Sequence, residues 1–225
     1  MQTKVKICGI TNLADAQTAV AAGADALGFN FYEKSPRHIS VEQAAEISRQ
    51  LPPFILRVGV SVNAPPELVM RAIASAGLTM LQFHGDEPPE FCLQWTRRLV
   101  AVNSATRASQ PPVGLMSMKA FRIRDEHSLA QIPNYATDAY LLDAYSADEF
   151  GGTGKKFNWD LAVAAQKFGK PIFLAGGLTP ENVADAVKKV RPFAVDVSSG
   201  VEISGVPGKK DHAKVKAFIQ AARTA

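Results

Sequence analysis

The run Lys4-Val5-Lys6-Ile7-Cys8-Gly9 reads as a short strand that delivers a thiol to its C-terminal end and turns at a glycine. Side chains alternate faces along a strand, so Lys6 and Cys8 share one wall while Val5 and Ile7 line the other. An ammonium beside a thiol favours the thiolate, the form that abstracts protons. Free cysteine is also among the most buried residue types and often serves as a small hydrophobe, so this run alone leaves both roles open. Asp143 ends the apolar run Ala139-Tyr140-Leu141-Leu142 and precedes a loop that contains Gly151-Gly152-Thr153-Gly154. A carboxylate there is hard to justify by packing. Proton donation, a helix N-cap and an ion pair with Lys6 are its open roles. The loop's glycines suit either a lid that closes over a substrate or an ordinary flexible connection.

Ala175-Gly176-Gly177-Leu178 and Ser198-Ser199-Gly200 each follow an apolar strand pattern. Loops of this kind hold a phosphate on backbone N–H groups, because glycine lets the backbone approach the oxygens closely; they also make plain strand-to-helix turns. Arg37, in Ser35-Pro36-Arg37, offers a planar guanidinium that could grip a carboxylate with two hydrogen bonds, or simply face solvent. His84 could act as a base or anchor a loop. The histidines at 38, 84, 127 and 212 show no metal-ligand spacing, so no metal site is expected.

These residues must be positioned by regular elements. Strand patterns fall at 4–8, 24–31, 55–62, 78–83, 118–123, 139–144, 171–175 and 194–198. Between them lie helical patterns that begin near Asn12, after Ser40 (41–51), and at 65–76, 88–97, 180–190 and 212–222, with another starting at Asn158 or Asp160. The strands are nearly continuous apolar runs, as in parallel sheets covered on both faces. About eight strand-helix units in roughly 200–250 residues define an α/β chain folded as a single-domain (β/α)8 TIM barrel over residues 1–225. The first turn lacks a G-x-G-x-x-G fingerprint, which argues against a dinucleotide fold. The segment 99–118 reads as an insertion. In such a barrel the strand C-termini share one mouth, where Cys8, Asn30, Asn63, His84, Arg122, Asp143, Gly176-Gly177 and Asp196 to Gly200 are expected together.

Hydrophobic residues make up 47% and charged residues 20% of the 225, the balance of a packed globular protein. Twenty-five basic residues against 21 acidic ones give a net charge of only +4, spread along the chain, so neither nucleic acid nor a membrane is an expected partner. Two cysteines outside any C-x-x-C pair, and a start that runs straight into a strand, fit the cytoplasm.

Taken together and in this order, the motifs resemble the phosphoribosylanthranilate isomerase family of tryptophan biosynthesis. The pieces are Lys6-Ile7-Cys8-Gly9-Ile10, Gly23-Ala24-Asp25-Ala26-Leu27-Gly28-Phe29, Ser35-Pro36-Arg37, Val58-Gly59-Val60, Gln82-Phe83-His84-Gly85, Leu142-Asp143, Gly151-Gly152-Thr153-Gly154, Leu174-Ala175-Gly176-Gly177-Leu178 and Asp196-Val197-Ser198-Ser199-Gly200-Val201-Glu202. The resemblance implies an Amadori rearrangement of a small phosphoribosyl substrate, N-(5-phosphoribosyl)anthranilate, an aminoaldose, to the aminoketose phosphate, with no cofactor. It implies Cys8 as general base and Asp143 as general acid. Arg37 would bind the anthranilate carboxylate, with His84 also at the substrate; Gly176, Gly177, Ser198, Ser199 and Gly200 would bind the phosphate. Lys6 and Asp196 are expected in support, either tuning the thiol or steadying the acid. Ser61 departs from the family's Val-Gly-Val-Phe pattern. An aldolase-like lyase with Lys6 as Schiff-base nucleophile, and a non-catalytic phosphometabolite-binding protein, are the alternatives. Monomer and homodimer are both open.

Overall fold

A computed structural model describes residues 2–96, 114–144 and 158–225. Its strands are β1 (Lys4–Cys8), β2 (Ala26–Asn30), β3 (Leu56–Ser61), β4 (Met80–Phe83), β5 (Met116–Ile123), β6 (Ala139–Ala144), β7 (Ile172–Leu174) and β8 (Ala194–Val197). Each pairs in parallel with the next and β8 returns to β1, closing the sheet into the expected barrel. The helices are α1 (Leu13–Ala21), α2 (Val41–Ser48), α3 (Pro66–Ala76), α4 (Pro89–Leu93), α5 (Trp159–Ala165), α6 (Val183–Val190) and α7 (His212–Arg223).

The alternation expected within each strand sets two cores. Val58, Met80, Met118, Leu141 and Phe173 point inward and fill the barrel. Ile7, Leu27, Phe83, Leu142 and Val195 point outward under the helices. Burial on both faces is why the strands read as continuous apolar runs. Local chemistry sets the helix starts. Asn12 accepts from the Asp15 N–H, Ser40 and Gln43 form a capping box, and Asp211 accepts from the Ala213 and Lys214 N–H groups.

Some boundaries differ from the sequence reading. The fifth strand begins at Met116, so residues 116–118 belong to β5 and not to an insertion; in register with β4, Met80 opposes Met116. The rest of that expected insertion, 99–113, lies outside the described residues, as does the glycine loop 145–157. Helix α6 starts at Val183 rather than 180, because the Asn182 side chain accepts from Thr179 N and donates to Gly177 O, holding the preceding residues in a turn. Helix α4 ends at Leu93, short of 97. Between β5 and β6 the chain makes two 3₁₀ turns, Glu126–Leu129 and Ile132–Asn134, instead of an α-helix. Asp125 and Ser128 cap the first and Pro133 sits in the second, so neither has room to extend.

Candidate active site

At the C-terminal mouth of the barrel, one cavity of about 340 Å³ collects Cys8, Arg37, His84, Asp143, Gly176, Gly177, Asp196, Ser198, Ser199 and Gly200. Its size is that of a small-molecule site. Asn30 and Gln82 line it too. Two residues expected at this mouth are drawn away. Arg122 lies 2.6 Å from Asp86 and lines a separate cavity, and Asn63, held at φ 49°, turns its side-chain oxygen to the Asp86 N–H.

Cys8 ends β1, and behind it Lys6 occupies the barrel interior with no exposure to solvent. Of the roles left open for Asp143, the ion pair with Lys6 does not form. Lys6 and Asp196 are register partners across β1 and β8, and Lys6 Nζ lies 2.8 Å from Asp196 Oδ1. Gly28, on β2, makes room for this group: a β-carbon there would come 2.7 Å from Cys8 Sγ and 3.2 Å from Lys6 Nζ. Burial pulls the Lys6 ammonium down, but Asp196 and Cys8 outweigh it and hold the group above the usual lysine range. Burial pushes the Cys8 thiol up; Lys6 and Lys210 oppose that push and Asp196 adds to it. A lysine nucleophile must be neutral and reach its substrate, whereas Lys6 is held charged and lies outside the cavity lining.

Asp143 is the last residue but one of β6, 5% exposed, with Oδ1 accepting from the Ala144 N–H. Its Oδ2 lies 3.4 Å from His84 Nε2. His84 Nδ1 is 2.7 Å from the Gln82 amide nitrogen; with that nitrogen as donor, the ring proton sits on Nε2, facing the carboxylate. Of four buried side-chain polar atoms without a hydrogen-bond partner among the described residues, His84 Nε2 and Gln82 Oε1 belong to residues that line this cavity, where a ligand could meet them, and Ser48 Oγ and Trp95 Nε1 do not.

The two glycine loops, after β7 and β8, meet on the rim between Asp143 and Cys8. Gly176 and Gly177 adopt φ of 83° and 70°, and Gly200 packs so closely on the other loop that a β-carbon would lie 2.0 Å from Leu178 O. Arg37 reaches the same rim, where its Nε and Nη2 donate to Glu202 at 2.8 and 2.9 Å. The sequence reading had placed Glu202 inside a motif without a role and had missed Lys210 altogether. An acidic residue beside a glycine loop expected to hold an anion needs a cation, which was the available signal for Glu202. Nothing local marked Lys210, whose side-chain partners Ser198 and Glu202 lie 12 and 8 positions back in the same loop between β8 and α7. Among the described residues no cluster of side chains could hold a metal ion.

A parallel eight-stranded barrel with a half-buried thiol, a carboxylate and two glycine loops around one mouth has the make-up of an acid-base enzyme acting on a phosphorylated small molecule. Residues 5–221 match the family described as N-(5′-phosphoribosyl)anthranilate (PRA) isomerase, and the chain belongs to that family. The N-(5′-phosphoribosyl)anthranilate isomerase of Geobacter sulfurreducens is 52% identical over 220 residues, 98% of each chain. A solved structure of phosphoribosyl anthranilate isomerase from Thermotoga maritima covers all of both chains at 44% identity and a TM-score of 0.85. Another, in complex with reduced 1-(o-carboxyphenylamino)-1-deoxyribulose 5-phosphate, is 42% identical with a TM-score of 0.81 over all of both chains. A third, of monomers generated from the dimeric Thermotoga maritima enzyme, is 41% identical with a TM-score of 0.81, again over both whole chains.

Proposed function

We propose that Cys8 is the general base and Asp143 the general acid of an Amadori rearrangement. The protein is an isomerase of tryptophan biosynthesis, and its substrate is N-(5′-phosphoribosyl)anthranilate. Asp143 gives its proton to the furanose ring oxygen as the anthranilate nitrogen lone pair forms the C1′=N⁺ bond and the C1′–O bond breaks. The resulting iminium acidifies C2′–H, which the Cys8 thiolate removes, leaving an enaminol. Loss of the enol proton and protonation at C1′ give the aminoketose. Every step is a proton transfer or a ring opening, with no net redox change, so no cofactor is required. The iminium adds a cation beside Cys8 to those of Lys6 and Lys210, countering the burial that disfavours the thiolate.

Arg37 would hold the anthranilate carboxylate, the loops at Gly176-Gly177 and Ser198-Ser199-Gly200 the phosphate, and His84 a sugar hydroxyl or the acid itself. What carries this reading is the convergence of thiol, carboxylate, guanidinium and both glycine loops on one cavity. Loss of phosphoribosyl anthranilate fluorescence tests it: the wild-type protein consumes freshly made substrate, and binding without turnover would leave only a binding protein.

The single barrel domain, the two free cysteines and a biosynthetic role together favour the cytoplasm; no helix among the described residues is long and apolar enough to cross a membrane. We further infer a homodimer, as the Thermotoga maritima relative's dimeric form suggests. At the barrel end away from the site, Phe54 is 77% and Phe193 41% exposed, and both line an apolar recess.

A further inference from the structure

Behind the cavity wall, Glu202 gathers four donors on one buried carboxylate. Arg37 Nε lies 2.8 Å from Oε1 and Nη2 2.9 Å from Oε2. Lys210 Nζ lies 3.0 Å and the Gly208 N–H 3.1 Å from Oε1. Lys210, its side chain wholly buried, also donates to Ser198 O at 3.2 Å. Ser198 in turn donates its hydroxyl to Cys8 O at 3.1 Å. One carboxylate thus ties the arginine of the loop after β2 to the serine that opens the glycine loop after β8. Gly9 fixes the same spacing from below: a β-carbon on it would come 2.8 Å from Arg37 Cδ and 3.0 Å from Ser198 Oγ.

The charges explain why such a tie is needed. Two cations share one anion, which leaves the cluster one positive charge in excess beside a site built for anions. Burial alone would push the Glu202 carboxyl up, but the hydrogen bonds and charges of Arg37 and Lys210 hold it below the usual range. Without Glu202 the two cations would repel each other, and Arg37 would lose the paired hydrogen bonds that fix its plane. An arginine on a loop specifies a ligand only where its plane is fixed, because a paired carboxylate must meet both N–H groups together.

We propose that Glu202 is a positioning residue that sets the span between Arg37 and the phosphate loop, so that the enzyme selects substrates whose carboxylate and phosphate lie one fixed distance apart. This rests on Arg37 receiving the carboxylate and on the glycine loops receiving the phosphate. Lys210 is the strut between them, since it holds both Glu202 and the Ser198 carbonyl.

The test compares the anthranilate substrate with its aniline counterpart, made from aniline and ribose 5-phosphate and lacking only the carboxylate. Wild type, Glu202→Gln, Glu202→Asp and Arg37→Ala are assayed on both. Glu202→Gln is expected to raise KM for the anthranilate compound about tenfold or more, with kcat changed much less, and to have little effect on the aniline compound. Glu202→Asp keeps the charge but shortens the reach, so it loses the same selectivity, and it decides the matter where the glutamine variant does not fold. Equal losses on both compounds would mean a merely structural role and would overturn the proposal. Arg37→Ala separates the two levels. If it does not discriminate between the compounds, the carboxylate assignment itself fails; if it does and the Glu202 variants do not, the ruler fails alone.

Discussion

Lys6 Nζ lies 2.8 Å from Asp196 Oδ1, inside the barrel and closed to solvent, on the same strand face as Cys8. The lysine therefore has two anionic neighbours to serve, a permanent carboxylate and a thiolate that forms only on ionisation. Asp196 secures the ammonium in the resting state, and what is left of its field acts on the thiol.

That arrangement gives opposite signs for two substitutions. The charged groups facing Cys8 are Lys6, Asp196 and Lys210, and the thiol already sits above its ordinary value because burial dominates. Lys6→Met removes the strongest opposing charge and is expected to move the thiol further up. Asp196→Asn removes the competing anion and is expected to move it down. The pH dependence of Cys8 alkylation by iodoacetamide, followed by peptide mapping, reads both. Cys92, whose thiol is pushed up to about 12, provides an internal control. Shifts of the same sign in both variants would refute the shared-lysine arrangement.

The acid and base roles predict losses of a definite size. Positioned proton-transfer groups contribute about 10²–10⁴-fold, so Cys8→Ala and Asp143→Asn should each lower kcat by that range in the fluorescence assay. Both side chains border the cavity rather than filling a core, and their removal leaves the apolar layers Val58, Met80 and Leu141 intact. Near-full kcat in either variant would remove that residue from the mechanism.

Much of this site was legible before any coordinates. Strand alternation placed Lys6 with Cys8, and Gly176-Gly177 and Ser198-Ser199-Gly200 were expected at the mouth that they line, because local sequence sets both strand faces and turns. Pairing across the closed barrel was not legible. Lys6 meets Asp196 from 190 positions away, and Lys210 N meets Asp15 from 195. Such contacts depend on β8 returning to β1, which no local pattern states. Arg122 shows a different failure. Its place at the C-terminal end of β5 put it at the mouth, yet Asp86 on the neighbouring loop draws it aside. The start of β5 was blurred because the apolar run Leu99-Val100-Ala101-Val102 competes with it in sequence.

Glu202 links the site to acid stability. Its folded-state carboxyl lies below the ordinary glutamate range, since Arg37 and Lys210 overcome burial. A depressed carboxyl favours the folded state fully above the unfolded value of about 4.3 and loses that contribution as pH falls through the folded value. Denaturant titrations of wild type and Glu202→Gln should therefore differ by a constant amount above about pH 5, with the gap narrowing below pH 4. A gap that widens toward acid would contradict the direction assigned to this group.

The opposite end of the barrel yields the last expectation. Phe54 is 77% exposed, and it borders the recess shared with Phe173, Phe193 and Leu56. A large aromatic left in water beside an apolar recess loses burial that a second copy would supply, and a two-fold arrangement can place each Phe54 in the other's recess. Phe54→Asp puts a charge at that contact without touching the mouth where Cys8 lies. Sedimentation should show wild type as a dimer and Phe54→Asp as a monomer, with kcat within about twofold because each barrel carries a whole site. A monomeric wild type, or a Phe54→Asp dimer of undiminished affinity, would place the contact elsewhere.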